Sequence, residues 1–337
     1  MQIIITNSQG SFDATELITS VQWSGSIGQC ASTLAFGLLS AEQFGMVDCS
    51  LGSGVMFKEA GTILFDGYIV ERTKSTVDSI IDITCFDRGY WLKQNQISRS
   101  FAAETPESAT AAIAAEFNIS CGDVAATGLS VSRNFLGGYS LYDIISTLYT
   151  IASEQNGKKY IVTFSGAQLC VREIGTGTMV YIEGGSNLMD ATITESSKNL
   201  VNSVLVLDKN GNALYTQTDD TSIASYGIMQ QAVKQQDNID INAVVAETLK
   251  AAMPEQKITV SCLGNVNCIT GAAVTLHEPV TNLYGKFFID SDTHQWKNGI
   301  YTCKLVLTLQ AVMDAKSAGA TDAAGTSSQY AAALDKL

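Results

Sequence analysis

In Ser79-Ile-Ile-Asp-Ile-Thr-Cys-Phe86, Ile81, Ile83 and Cys85 fall on one side and Asp82 and Thr84 on the other. That period of two suits a strand with one buried face and does not suit a helix. The same texture fills the first hundred residues. Thr19–Trp23 and Ser32–Leu38 flank Gly25-Ser-Ile-Gly28, and Gly54–Lys58 and Ile63–Val70 flank Glu59-Ala-Gly61. Short strands punctuated by glycine turns predict a small β-barrel or sandwich over residues 1–98.

The pattern changes over residues 99–178, which read as a small α+β module with two helices and a hairpin. Thr105-Pro-Glu-Ser108 has an N-cap threonine and proline at the first helical position. Ser140-Leu-Tyr-Asp143 resembles a capping box ahead of the stripe Leu141, Ile144, Ile145, Leu148, Ile151, and Asn156-Gly157 stops that helix. Tyr160–Phe164 and Gln168–Arg172 flank a Ser165-Gly-Ala167 turn. Strand character returns over residues 179–312, with a helix inserted at about 240–253, capped by Asp240 and ended by Pro254. From 313 to 337 the chain is rich in Ala, Ser, Gly and Thr without a hydrophobic stripe, a composition expected to be disordered or to order against a partner.

Hydrophobic residues make up 46% and charged residues 16%, which excludes a disordered chain and points to surface covered by partner subunits. Asp and Glu outnumber Lys and Arg by 33 to 20, so a sequence-specific nucleic-acid binder is not expected. The adjacent basic pair Lys158-Lys159 sits at the end of a helix. Met1–Asn7 has neither the charge nor the length of a signal peptide, and no apolar run suits a membrane anchor. None of the eight cysteines forms a CxxC, and most lie in apolar runs, which suits buried, reduced thiols.

The search for chemistry assigns no catalytic residue, no cofactor and no metal. The histidines are His277 and His294. Asp290-Ser-Asp292-Thr-His294 could offer metal ligands from one strand face, but it reads first as a polar loop between two strands. Asp208-Lys-Asn-Gly-Asn212 reads as a hairpin turn rather than a calcium loop, since no glutamate stands at the twelfth position. Gly137-Gly138 and Gly184-Gly185 lack a phosphate-loop pattern and read as turns. Trp23, Trp91 and Trp296 are expected as core or subunit-interface anchors.

The β segments echo one another. Gly61-Thr-Ile-Leu-Phe-Asp-Gly-Tyr-Ile-Val-Glu-Arg leads into Ile80-Ile-Asp-Ile-Thr-Cys, and Tyr284-Gly-Lys-Phe-Phe-Ile-Asp-Ser-Asp leads into Tyr301-Thr-Cys-Lys-Leu-Val-Leu. Trp23-Ser-Gly-Ser-Ile-Gly-Gln-Cys-Ala, Leu64-Phe-Asp-Gly-Tyr-Ile-Val, Ser140-Leu-Tyr-Asp-Ile-Ile and Gln155-Asn-Gly-Lys-Lys-Tyr160 fall in an order that resembles the XkdQ/YqbQ-type tail proteins. Those belong to phages, defective prophages and phage-tail-like bacteriocins of Gram-positive bacteria. The resemblance spans about residues 15–310.

It implies two tail-tube-like β-barrel modules, so that the chain is expected to be α+β with a small α/β module between the barrels; the flexible C-terminal tail lies outside the resemblance. It also implies a baseplate hub of a contractile tail, similar in role to the hub of T-even phages, and the lack of a catalytic motif makes that hub non-enzymatic in expectation. Such a hub is a homotrimer whose expected partners are the tail tube protein, the central spike protein and other baseplate proteins. Its place is the baseplate of a virion or tail-like particle assembled in the host cytoplasm. An acidic channel that repels DNA phosphates would fit the charge. The competing readings are a tail-associated peptidoglycan hydrolase and a cell-surface-binding module.

Overall fold

The computed structural model describes residues 1–39, 48–77, 79–236 and 240–316. They divide into two compact units. One comprises Met1–Ala191 with residues 259–316, the other Thr192–Ile258.

The chain opens with β1 (Gln2–Asn7), which buries Ile3 and Ile5 on one face and turns back as β2 (Gly10–Asp13). β3 (Ile18–Ser26) and β4 (Thr33–Leu39) are antiparallel, and β5 (Gly54–Glu59), β6 (Thr62–Lys74) and β7 (Ile80–Asp87) form an antiparallel meander. β6 is long because its two halves serve different neighbours: Thr62–Tyr68 pairs with β5 and Gly67–Lys74 with β7. Where they overlap, only glycine fits. A Cβ on Gly67 would stand 2.1 Å from the Phe86 carbonyl oxygen.

The middle module begins with a short helix, α1 (Gly89–Gln94), and continues through β8 (Gln96–Glu104), α2 (Pro106–Glu116), β9 (Cys121–Val124), β10 (Val131–Ser140), α3 (Leu141–Asn156), β11 (Tyr160–Ser165) and β12 (Gln168–Glu173). Both expected caps are present. Ser108 N–H donates to Thr105 Oγ1, and Asp143 N–H donates to Ser140 Oγ at 3.0 Å while Ser140 Oγ–H donates to Asp143 Oδ2 at 2.7 Å. Gly157, with φ of 74°, ends α3. Leu141, Ile144, Ile145 and Leu148 are fully buried and form the spine of this module's core. The expected tail start is corrected by that core. Met313 is buried in it, Tyr142 Oη–H donates to Asp314, and Lys316 N–H donates to Thr150, so 313–316 docks on α3. Residues 317–337 lie outside the described residues.

After β13 (Val180–Glu183) and β14 (Leu188–Ser196), residues 203–234 build a separate three-stranded sheet. β15 (Ser203–Leu207) lies between antiparallel β16 (Ala213–Thr218) and parallel β17 (Gln230–Lys234), with α4 (Asp220–Tyr226) in the crossover. α5 (Ile241–Thr248) starts at Asp240, whose side chain accepts from Asn242 N–H, and it buries Val245 against Val204 and Val206. The Asp208 turn is the hairpin expected: its carboxylate accepts from the Asn210 and Asn212 amides.

The last strands are β18 (Glu255–Leu263), β19 (Ala273–Glu278), β20 (Leu283–Lys297) and β21 (Ile300–Thr308). β19–β20–β21 repeats the antiparallel meander of β5–β6–β7. Both middle strands are long, and each carries a bulge just after an isoleucine, between Ile69 and Glu71 and between Ile289 and Ser291. The main sheet runs β14-β18-β21-β20-β3-β4-β7-β6-β5-β1-β2, with β19 on β20 and β13 on β19. The first and last parts of the chain therefore share one hydrogen-bonded sheet, joined where β20 pairs with β3.

Candidate functional site

That junction carries the densest chemistry of the chain. Residues Ser291–Lys297 of β20 are paired with β3 on one side and β21 on the other. Alternation then sends Asp292, His294 and Trp296 inward, at 4%, 0% and 7% exposure. The expectation of a polar loop at Asp290–His294 is thus corrected: the segment is the buried centre of a fifteen-residue strand. The bulge after Ile289 hides it. Phe287 and Ile289 set an odd-numbered apolar face, and the extra residue moves the inward face to even positions, so the period appears to stop.

The carboxylate, imidazole and thiol at the centre of the cluster have polar neighbours, while the Trp23 and Trp296 indole N–H groups beside them are buried without an acceptor. Asp292 Oδ1 accepts from the Thr270 amide and hydroxyl, both at 2.6 Å, and Asp292 Oδ2 lies 3.3 Å from His294 Nε2. His294 Nδ1 is 2.8 Å from Tyr301 Oη and 3.2 Å from Cys303 Sγ. Asn265 N–H donates to Cys303 Sγ at 3.4 Å. Aromatic rings enclose the cluster: Trp23 packs on His294 with centroids 4.9 Å apart, and Trp296 stacks on Tyr301 at 4.1 Å and meets Phe57 edge-on at 4.9 Å. Trp296 belongs to the core of the first β segment although it stands on β20.

Burial opposes a charged imidazolium at His294, but Asp292 and Cys303 outweigh it and lift the group to about 9. The thiols of Cys262 and Cys268 hydrogen-bond to Cys303 and, with His294, hold it below the ordinary thiol value despite burial. Cys303, His294 and Asp292 have the composition of a nucleophile, base and orienting acid. Their burial argues for a different role, because His294 and Cys303 are at most 1% exposed. A neighbouring cleft of about 370 Å³ is lined by Trp23, Arg172, Thr270 and Asp292, and neither His294 nor Cys303 reaches it.

The other candidates separate. His277 is exposed and pairs with Glu183 at 2.9 Å. Trp91 lies at the surface against Tyr68 at 4.7 Å, with Arg88 over both rings. Lys158 pairs with Glu173 and Lys159 donates to Ser153. Gly137 and Gly138 sit where the β8–β10 register breaks, and Gly185 has φ of 79° after β13. All eight cysteines are unpaired, and six are buried. Among the described residues, no group of three or more His, Cys, Asp or Glu is arranged to hold a metal, and no helix is long and apolar enough to cross a membrane.

Comparison with known proteins gives this fold its relatives. The YQBQ-like family matches residues 21–308. YqbQ of Bacillus subtilis (strain 168), an uncharacterised protein, is 24% identical over 262 residues, covering 75% of this chain and 80% of its own. The phage-like element PBSX protein XkdQ of the same strain is 23% identical over 263 residues with the same coverage. Among solved structures, the 43 kDa tail protein of prophage MuSo2 from Shewanella oneidensis superposes with a TM-score of 0.66 at 12% identity, covering 91% of this chain and 98% of its own. The E. coli c3393 protein, a type VI secretion component described as structurally similar to T4 tail proteins gp27 and gp5, gives 0.53 at 8% identity over 90% and 76%. The fold is mostly β and is shared with phage tail proteins.

Proposed function

The chain belongs to the YQBQ-like family, and on that footing we propose that it is the structural hub subunit of a contractile tail baseplate. In this reading three copies join the six-fold tail tube above to a trimeric spike below. Each copy supplies two tube-like β modules, so that a trimer offers six. The observation that carries the reading is the repeated meander. β5–β6–β7 and β19–β20–β21 have the same order, the same long middle strand and the same bulge, as a duplicated module would. The likeness to a prophage tail protein over 91% of the chain supports the same conclusion.

The work is mechanical rather than catalytic. The Asp292–His294–Cys303 cluster is sealed inside the sheet that joins the two β segments, which suits a tie and not a site of turnover. Buried polar groups of this kind fix register, because a slip of one residue would leave every one of them unpaired. Its partners are then further copies of itself, the tube protein, the spike protein and other baseplate proteins. Its place is the baseplate of a particle assembled in the host cytoplasm, with the acidic excess of the chain turned toward the channel.

Native mass spectrometry of the purified chain, alone and with the spike protein of the same tail, tests the reading. The expected result is a species of three times 35.9 kDa, alone or on addition of spike. A chain that stays monomeric with spike present, or that hydrolyses peptidoglycan and loses this when Asp292→Ala is introduced, overturns it.

A further inference from the structure

The cleft beside the Asp292 cluster has walls from β3, β11, β12 and the loop between β18 and β19. Leu169 and Val171 of β12 point into the core around α3, so the alternate residues Cys170 and Arg172 face the cleft. The buried acceptors of the cleft are already taken. Asp292 Oδ1 accepts twice from Thr270, Asp292 Oδ2 faces His294, and Asp87 accepts from Ser32 and Gly89. Its donors are not. Among the described residues, the Arg172 guanidinium and the Gln29 and Asn267 side-chain amides line the cleft and donate to no protein acceptor.

Burial lowers the Arg172 pKa against the fields of Cys170, Asp123 and Asp292, so this half-buried cation lacks a partner that returns what desolvation takes. The charge of Asp292 is matched by His294, and Asp123 is exposed, where water screens it. Free donors around a cation, beside saturated acceptors, select a ligand that is negative and accepts. Trp23, Leu64 and Ile269 add apolar wall, and about 370 Å³ admits a chain of several carbons. We propose that the cleft binds a carboxylate carried on a short apolar stem, with Arg172 pairing with the carboxylate and the Gln29 and Asn267 amides donating beside it. A free short-chain acid and the glutamate side chain of another protein share this chemistry. The inference does not rest on the hub reading.

The test titrates the full-length chain with hexanoate and with hexanamide, its uncharged isostere, at constant ionic strength. Proton–nitrogen NMR follows the Arg172 Nε–H and Trp23 Nε1–H signals. Hexanoate should shift both along a saturating curve, and hexanamide should bind at least about tenfold more weakly, the factor a charge-assisted pair supplies. Arg172→Met, which keeps an unbranched apolar stem, should bring acid and amide to equal affinity, read at Trp23. The α-amide of N-acetylglutamate separates the two sources: binding tighter than hexanoate assigns the site to a protein side chain, and weaker binding assigns it to a free acid. Shifts that do not saturate, equal affinity of acid and amide in the wild type, or an acid preference that survives in Arg172→Met overturns the proposal. If Arg172→Met does not fold, the comparison of acid with amide in the wild type decides alone.

Discussion

Trp296 is the residue through which the last β segment enters the core of the first, so its removal measures how far the two act as one. Its side chain is 7% exposed, stacked on Tyr301 and edge-on to Phe57. An indole of this burial removes on the order of 200 Å² from water, worth roughly 5 kcal/mol. Alanine keeps a small part of that, and buried tryptophan truncations cost about 3–5 kcal/mol. One feature lowers the expected figure. The Trp296 Nε1–H is buried without an acceptor, and relief of such a donor returns about 1 kcal/mol or more. Trp296→Ala should therefore cost about 3 kcal/mol, and Trp296→Phe, which keeps a ring and removes the unpaired donor, less than about 1 kcal/mol. Guanidinium unfolding followed by far-UV circular dichroism and by tryptophan fluorescence reads both, in a Trp91→Phe background where Trp23, which packs on His294 in the same junction, is the tryptophan left in each Trp296 variant. The reasoning is refuted if phenylalanine costs as much as alanine, or if alanine leaves the Trp23 transition unmoved.

Three further outcomes follow from single sites. Burial lifts Asp87 to about 6 against hydrogen bonds from Ser32 and Gly89, so its folded value exceeds the unfolded one. That stabilisation is complete below about pH 4 and is lost as pH rises through 6, about 3 kcal/mol in all. The stability difference between wild type and Asp87→Asn should shift by that amount between pH 4 and 7, and a constant difference contradicts it. Gly67→Ala, with its Cβ 2.1 Å from the Phe86 carbonyl, should cost about 3 kcal/mol, whereas Gly28→Ala, with nothing within 4 Å, should stay within about 0.5 kcal/mol by thermal unfolding. Fully buried Asn202 donates to Gly227 O at 2.8 Å and accepts from Met229 N–H at 2.8 Å. Asn202→Ala should destabilise residues 192–258 by about 3 kcal/mol, seen as faster hydrogen exchange there and not in residues 1–191.

Local rules written into the chain were legible without the structure. The Thr105 and Ser140 caps, the Gly157 stop and the hairpins at Ser165 and Asp208 depend on neighbours a few residues away, and they stand where the residues put them. Elements whose signal is weak or displaced were not legible. β8 alternates from Gln96 to Phe101, but Arg99 stands between Ile97 and Phe101 on the inward side and only Phe101 is fully buried, so the apolar signal is weak. β1 buries Ile3 and Ile5, but Ile4 between them makes the run continuously apolar and hides the period. The candidate site was missed for a sharper reason: the bulge after Ile289 switches the parity of the inward face. The pairing of β3 with β20 across most of the chain's length has no local trace at all. The echo of the two meanders was visible because both copies kept their apolar middle strands.

The most direct test of the hub reading is an electron cryo-microscopy reconstruction of the intact tail particle containing this chain. It should show three copies at the tube–spike junction, with β5–β6–β7 and β19–β20–β21 of each copy occupying successive positions beneath the last six-fold tube ring. Six copies in that layer, or a chain located away from the junction, would contradict it.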